Sequence, residues 1–191
     1  MEQEPIEIET HPWEPFIPDG ARVLIMGTFP PQPKRWSMDF FYPNRTNDFW
    51  FMMGLIFFGD KDVLYDRSKK QFRLDDIKAL LTREHIALFD TGYKIRRLKG
   101  NASDKFLEIV EPVHLYEHLE HMPQCHTVAT TGEKAAAVIS QLTDTPLPRM
   151  GERVESNDGL SIWRMPSTSR AFPMKLEDKA RYYSALFDSI R

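Results

Sequence analysis

The stretch "ARVLIMGTF", residues 21–29, runs apolar from Val23 to Met26, stops at Gly27 and leads into "GTFPP". A short apolar run closed by turn residues is the pattern of a strand buried on both faces. "HIALFDTG" (85–92), "HTVATTG" (126–132) and "LSIWRMPSTS" (160–169) repeat this grammar, each a β-rich segment followed by small or polar residues. Helical patterns separate them. "NDFWFMMGLIFF" (47–58) can open a helix with Asn47 or Asp48 near its N-cap, and "RLDDIKALLTREH" (73–85) carries Leu74, Ile77, Leu80 and Leu81 at helical spacing. "EKAAAVISQL" (133–142) and "KLEDKARYYSALFDSI" (175–190) supply helices after the third and fourth strands. Alternating strands and helices imply βαβ crossovers, so the expected fold is a three-layer α/β/α sandwich around a central, mainly parallel four-stranded sheet. Ligands of such sheets sit outside the carboxyl ends of the strands. The four ends, "GTFPP", "FDTGY", "TTGEK" and "MPSTSRAF", therefore form a common rim, joined by "YPNRTNDFW" (42–50). That last stretch mixes rings with amides, which suits a pocket that stacks on a flat ligand and hydrogen-bonds its edge.

The 191 residues, 41% of them hydrophobic, are enough for one good core, and a single domain spanning residues 1–191 is expected. Residues 1–19, rich in Pro and Glu, read as an extended arm laid on that domain, with Trp13 and Phe16 as anchors. "DKDVLYDRSKKQF" (60–72) reads as a charged connector, and no internal repeat is visible. The one cysteine, Cys125, excludes an internal disulfide and any cysteine-rich metal or iron–sulfur site, which fits a reducing compartment. With no secretory signal and no membrane-spanning run, a cytoplasmic monomer is expected. A net charge of -3 argues against generic polyanion binding, which needs clustered Lys and Arg. The distribution is uneven, however. "KIRRLK" (94–99) is a local basic cluster, and Arg170 with Lys175 forms a sparser one; either is also the pattern of a solvated face.

Several constellations carry two readings. His114, His118 and His121 have the i, i+4, i+7 spacing of one helix face and could bind zinc, yet Val113, Leu115, Tyr116 and Leu119 read as the inward side of that helix, with the histidines outward. "TTGEKA" (130–135) lacks the first glycine of a phosphate loop and reads equally as a strand-to-helix turn. Pro30 and Pro31 remove two backbone donors that a dinucleotide pyrophosphate would use. "PSTSR" (166–170) sets Ser167, Thr168 and Ser169 behind a proline, either as a capping loop or as a cradle for one DNA phosphate with Arg170 alongside.

Taken in order, "VLIMGTFPP", "YPNRTNDFW", "IALFD" and "MPSTSRA" resemble the uracil-DNA glycosylase superfamily, most closely its hypoxanthine-DNA glycosylase-like branch; "GNASDKF" (100–106) resembles that branch too. The resemblance runs from Val23 to about Phe187. It implies a monofunctional enzyme, without metal or cofactor, that flips a deaminated base of the uracil or hypoxanthine type out of DNA and hydrolyses its N-glycosidic bond. It also implies site residues. Many members hold water with an Asp or Asn in the first motif, where this chain has Phe29; the branch it resembles keeps a catalytic amide before "FW", which is Asn47 here. Asn47 is equally a plausible helix N-cap. Members that steady the leaving base with a histidine before Pro-Ser have it where this chain has Met165. Asp90 occupies the base-reading region, where a carboxylate accepts but does not donate, and its other reading is a cap or an arginine partner. Tyr42 is the candidate stacking ring, in competition with Phe29 and Phe41, while Phe49 and Trp50 read as core. Gly27 and Thr28 join the base pocket; Ser167, Thr168, Ser169, Arg170, Lys94, Arg96 and Arg97 are the expected DNA contacts. A noncatalytic nucleic-acid or nucleotide binder of the same fold is the alternative, suggested by Phe29, Met165 and the acidic net charge. A small-molecule hydrolase is disfavoured, because no G-x-S-x-G occurs and Ser167 has no nearby His in sequence.

Overall fold

The computed structural model describes residues 4–100 and 103–191. Ten strands and five α-helices follow one another: β1 (Ile8–Thr10), β2 (Val23–Gly27), α1 (Phe49–Phe58), β3 (Tyr65–Asp66), β4 (Gln71–Phe72), α2 (Leu74–Arg83), β5 (Ile86–Asp90), β6 (Gly92–Arg97), β7 (Leu107–Pro112), α3 (Leu115–Glu120), β8 (Thr127–Thr131), α4 (Glu133–Thr143), β9 (Arg153–Glu155), β10 (Ser161–Met165) and α5 (Leu176–Ser189). Among the described residues, no helix is long and apolar enough to cross a membrane.

The four apolar runs form the parallel part of the central sheet, in the order β5-β2-β8-β10. Every residue of β2, β5 and β8 is buried, as strands covered by helices on both faces must be. The sheet has five strands rather than four. The fifth, β9, lies antiparallel on β10, so the sheet is mixed. Only three residues long and with two of them charged, "RVE" carries no apolar run to announce it; it closes the edge, where the Arg153 guanidinium lies 5.6 Å from the centre of the Trp163 ring.

The chain leaves β2 towards β5 and leaves β8 towards β10, in opposite directions. Right-handed crossovers therefore put α1 and α2 on one face and α4 on the other, and α5 packs against α1. Between the adjacent strands β2 and β8 lies the topological switch point, where doubly wound sheets open a crevice. Register brings the ends level: Gly27 pairs with Asp90, and Thr131 with Met165.

A second, three-stranded antiparallel sheet, β1-β6-β7, was not legible as such. The arm enters it through β1, then passes Phe16 along β5, where Phe16 and Leu88 exchange both backbone hydrogen bonds, 3.0 Å each. The charged connector contains the small β3–β4 hairpin.

Helix α1 is apolar throughout and is wedged into the core by Phe49, Trp50, Met52 and Met53. The chain turns back so tightly after it that a Cβ on Gly54 would lie 2.6 Å from the Asp60 carbonyl oxygen. Backbone must move to admit it. Gly54→Ala should therefore destabilise the protein by about 1–3 kcal/mol despite the better helix propensity of alanine, read as a lower urea midpoint at unchanged slope.

Candidate active site

A cleft of about 760 Å³ opens at the switch point, and residues from all four parallel strand ends line it. Gly27, Thr28, Phe29, Tyr42, Asn47, Asp90, Ser167, Thr168, Ser169 and Arg170 all face this cleft. Lys94, Arg96 and Arg97 do not.

The floor is set by what Gly27 lacks. A Cβ there would lie 3.0 Å from Asp90 Oδ1, 3.2 Å from the Tyr42 hydroxyl and 3.3 Å from Thr131 Oγ1. Three side-chain oxygens thus crowd one point that only glycine leaves open. The Tyr42 and Thr131 hydroxyls are 3.2 Å apart and share a hydrogen bond. The pair holds two hydroxyl protons and this bond uses one, so one remains to donate. Burial, reinforced by the Asp90 charge, pushes the Tyr42 phenol well above its ordinary range, so it stays protonated. Tyr42 adopts a left-handed backbone (φ 52°), a strained conformation for an aromatic residue. Its ring is stacked on Phe49 at 3.9 Å and 14°, which leaves at most one face for a ligand.

Phe29 forms a half-buried wall. Behind it, the Arg97 guanidinium sits 5.6 Å from the ring centre, donates to the Pro30 carbonyl and makes a two-pronged pair with Glu9 at 2.9 and 3.0 Å. With its side chain 5% exposed, Arg97 is a support for Phe29 and is not open to a phosphate. Lys94 and Arg96 face Glu111 and Glu108 across β6–β7, at 3.1 and 3.2 Å. Alternation along "KIRRLK" belongs to a strand whose cations are matched by a neighbouring strand, and this is the correction to reading it as a free basic cluster. The exposed cations at the cleft are Arg35, Lys105 and Arg170.

Asn47 sits immediately before α1, whose N-cap is Asp48. Its Oδ1 accepts from Phe49 N–H at 3.0 Å, so the amide does cap the helix, with a second lone pair on that oxygen. An isolated β-bridge joins Asn47 to Ser169, and Asp48 N–H donates to the Thr168 carbonyl at 2.8 Å. Beneath this contact the Lys179 side chain is fully buried, its Nζ donating to Asp48 Oδ2 (3.0 Å) and the Ser169 carbonyl (2.9 Å). Arg170 donates to the other Asp48 oxygen (3.1 Å) and to the Arg45 carbonyl (3.1 Å). Thr168 is itself buried, whereas Ser169 and Arg170 are exposed.

Asp104 enters from the segment read as "GNASDKF"; Asn101 and Ala102 of that motif lie outside the described residues. Thr28 Oγ1 donates to Asp104 Oδ2 at 3.0 Å, and Lys134 of "TTGEKA" donates to the Asp104 and Leu107 carbonyls. Lys134 thus fastens a loop. Burial holds the Asp104 carboxyl above the usual carboxylate range, with Thr28 and Lys134 opposing and Asp90 adding to the effect.

Of the three spaced histidines, His114 and His121 are exposed as expected, whereas His118 is half-buried and Tyr116, read as inward, is exposed. His114 contacts Glu111 and Glu117, and His118 packs on Phe89 at 5.1 Å. Among the described residues, no group of three or more His, Cys, Asp and Glu is arranged to hold a metal. The Cys125 thiol is buried away from the cleft, pushed up to about 11 by burial. Ser167 Oγ accepts from Ser169 N–H at 3.2 Å, and no His or Cys lines the cleft among the described residues. A nucleophilic Ser or Cys hydrolase therefore has no base beside its nucleophile.

Sequence reading missed His11, Asp48, Asp104, Thr131 and Lys179. A signal existed for Lys179, which stands four residues before buried Tyr183 and so shares its helix face. For His11, on an arm of low regularity, there was none.

No protein-family model and no curated protein matches the sequence. Among solved structures, the chain is similar to the solution NMR structure of a Methanosarcina acetivorans protein described as a "putative Uracil DNA glycosylase", with a TM-score of 0.66 and 19% identity over 96% of this chain and 99% of that one. The two share a fold.

Two predictions follow from these contacts. Lys179→Met strands Asp48 with one exposed partner and should cost about 3 kcal/mol or more, while the double variant with Asp48→Asn should recover part of that loss in denaturant titrations. Asp104 has a folded pKa above its unfolded value, so its ionised form opposes folding at neutral pH. Asp104→Asn should accordingly raise the melting temperature at pH 7, and the gain should disappear below about pH 4, where the carboxyl is protonated in both states.

Proposed function

We propose that this protein is a monofunctional DNA glycosylase of the uracil-DNA glycosylase superfamily, which hydrolyses the N-glycosidic bond of a deaminated base flipped out of DNA. The observation that carries this reading is the meeting of Asn47, Asp90, Phe29 and the Tyr42–Thr131 hydroxyl pair in one cleft at the switch point. An acceptor beside a hydroxyl donor complements a ring N–H next to a carbonyl, the edge that uracil and hypoxanthine share. Phe29 offers the flipped base a flat wall, and extrusion, which costs a few kcal/mol, is offset by this burial.

Asn47 would orient the attacking water with the free lone pair of its amide oxygen. As the bond to the sugar carbon breaks, the water oxygen bonds that carbon, and its proton passes to solvent or to the departing base. A carboxylate near a leaving anion works against cleavage, so the hydroxyl donor opposite Asp90 carries the stabilisation that Met165 cannot give. The rim of Ser167, Ser169 and Arg170, with Arg35 and Lys105, holds DNA phosphates.

A noncatalytic DNA binder of this fold is the second reading, favoured by the engagement of Asn47 Oδ1 in capping α1. One assay separates the two. Oligonucleotides carrying uracil, hypoxanthine, xanthine or an unmodified base are incubated with the protein and treated with alkali to reveal abasic sites. Excision by the wild type, at least about 100-fold slower in Asn47→Ala with DNA binding retained, is expected from the loss of one preorganised contact to the reacting water. DNA binding with no excision of any base establishes the second reading.

A further inference from the structure

Among the described residues Asp90 is one of two carboxylates at the cleft, and its two oxygens have different fates. Oδ1 overhangs the floor at Gly27, while Oδ2 is 2.7 Å from Nε2 of His11. The His11 side chain is fully buried, boxed by Phe89 (4.7 Å), Phe29 (5.3 Å), Trp13 and Phe41 (both 5.8 Å between ring centres). The imidazole is held at its other nitrogen too, where Nδ1 lies 3.0 Å from the Trp13 carbonyl oxygen and 3.2 Å from the Trp13 N–H. Nε2 faces a carboxylate oxygen, which only accepts, so Nε2 carries a proton and donates to Asp90.

Backbone structure fixes the position of this ring. Residues Ile8, Glu9 and Thr10 pair with β6, and His11 N–H extends the contact to the Tyr93 carbonyl at 2.8 Å. Glu9, two residues earlier and so on the same side of the strand, holds the Arg97 that backs Phe29. One strand of the arm thus supports both the floor and the wall of the cleft.

We propose that His11 is a positioning residue for base recognition: it pins Asp90 Oδ2 so that Oδ1 alone is presented to the ring N–H of the flipped base. This rests on Asp90 reading the base as set out above. Without the Nε2 donor the carboxylate is free to turn about its last bond, and its aim at the base is lost while the phosphate contacts of the rim are kept.

The test uses duplexes whose target nucleotide is 2′-fluorinated to suppress cleavage, carrying either uracil or N3-methyluracil, and a second pair with hypoxanthine and N1-methylhypoxanthine. Methylation removes the N–H. The ratio of the two affinities isolates its recognition from general DNA binding, and the wild type should favour the N–H base by about ten- to a hundredfold in at least one pair, the range of one hydrogen bond to a charged acceptor. His11→Phe and His11→Asn, the second too short to reach Oδ2, should reduce that ratio to near that of Asp90→Ala; His11→Gln, whose amide N–H2 is a donor on a longer stem, should restore part of it. Folding of each variant is checked by its melting curve, and either His11→Phe or His11→Asn suffices. A wild-type ratio retained in the folded His11→Phe or His11→Asn overturns the role of His11 and leaves Asp90 as the reader. Equal loss in His11→Gln and His11→Phe overturns the donor role. No discrimination by the wild type overturns both this proposal and the assignment of Asp90.

Discussion

The buried pair of Lys179 and Asp48 is the constraint on which the site depends. An ammonium with a fully buried side chain is costly, and here the cost is offset by a carboxylate and a carbonyl, both within hydrogen-bond range. The carboxylate belongs to Asp48, at the N-cap position of α1 directly after Asn47, and the carbonyl belongs to the loop leaving β10. One cation therefore holds together the two segments that supply the amide and the phosphate rim. Lysine also leaves the α1 N-terminus with a neutralised cap, so no net charge is stored under the cleft by this pair.

The sheet turns this local clamp into a site. Because β2 and β8 send their crossovers in opposite directions, no crossover helix among the described residues covers their carboxyl ends, and Gly27 and Thr131 lie level there. Elsewhere along these strands every side chain is buried. Polar groups are admitted where the helices part, which is why Asp90, Tyr42 and Thr131 gather there, although β2 and β5 are otherwise apolar and β8 buries Thr127 and Thr130 along its length. The antiparallel β1-β6-β7 sheet then closes one side through Arg97 and His11.

Much of this was legible in the sequence. The four parallel strands, the helices between them and a rim at their ends follow from apolar runs and turn residues, and they placed Asn47, Asp90 and the 167–170 loop on one cleft. What could not be read depended on pairing between distant segments. "KIRRLK" has the composition of a basic patch, and only the registry with Glu108 and Glu111 shows its Lys94 and Arg96 to be matched. His11 lies 79 residues from Asp90, on an arm whose few apolar residues gave no period. The β9 edge strand is too short and polar to leave a pattern. Residue type told which groups could do chemistry, whereas only tertiary structure told which of them were already occupied.

Asp48 and Lys179 are separated by 131 residues along the chain. Closing so long a loop carries an entropic cost that precedes the reward of the contact, so the pair is expected to form late in folding. Interactions made after the folding barrier govern how fast the native state comes apart rather than how fast it assembles. A clamp formed that late acts as a latch on the lifetime of the folded protein: the residues that align the site would also set how long, once formed, it persists.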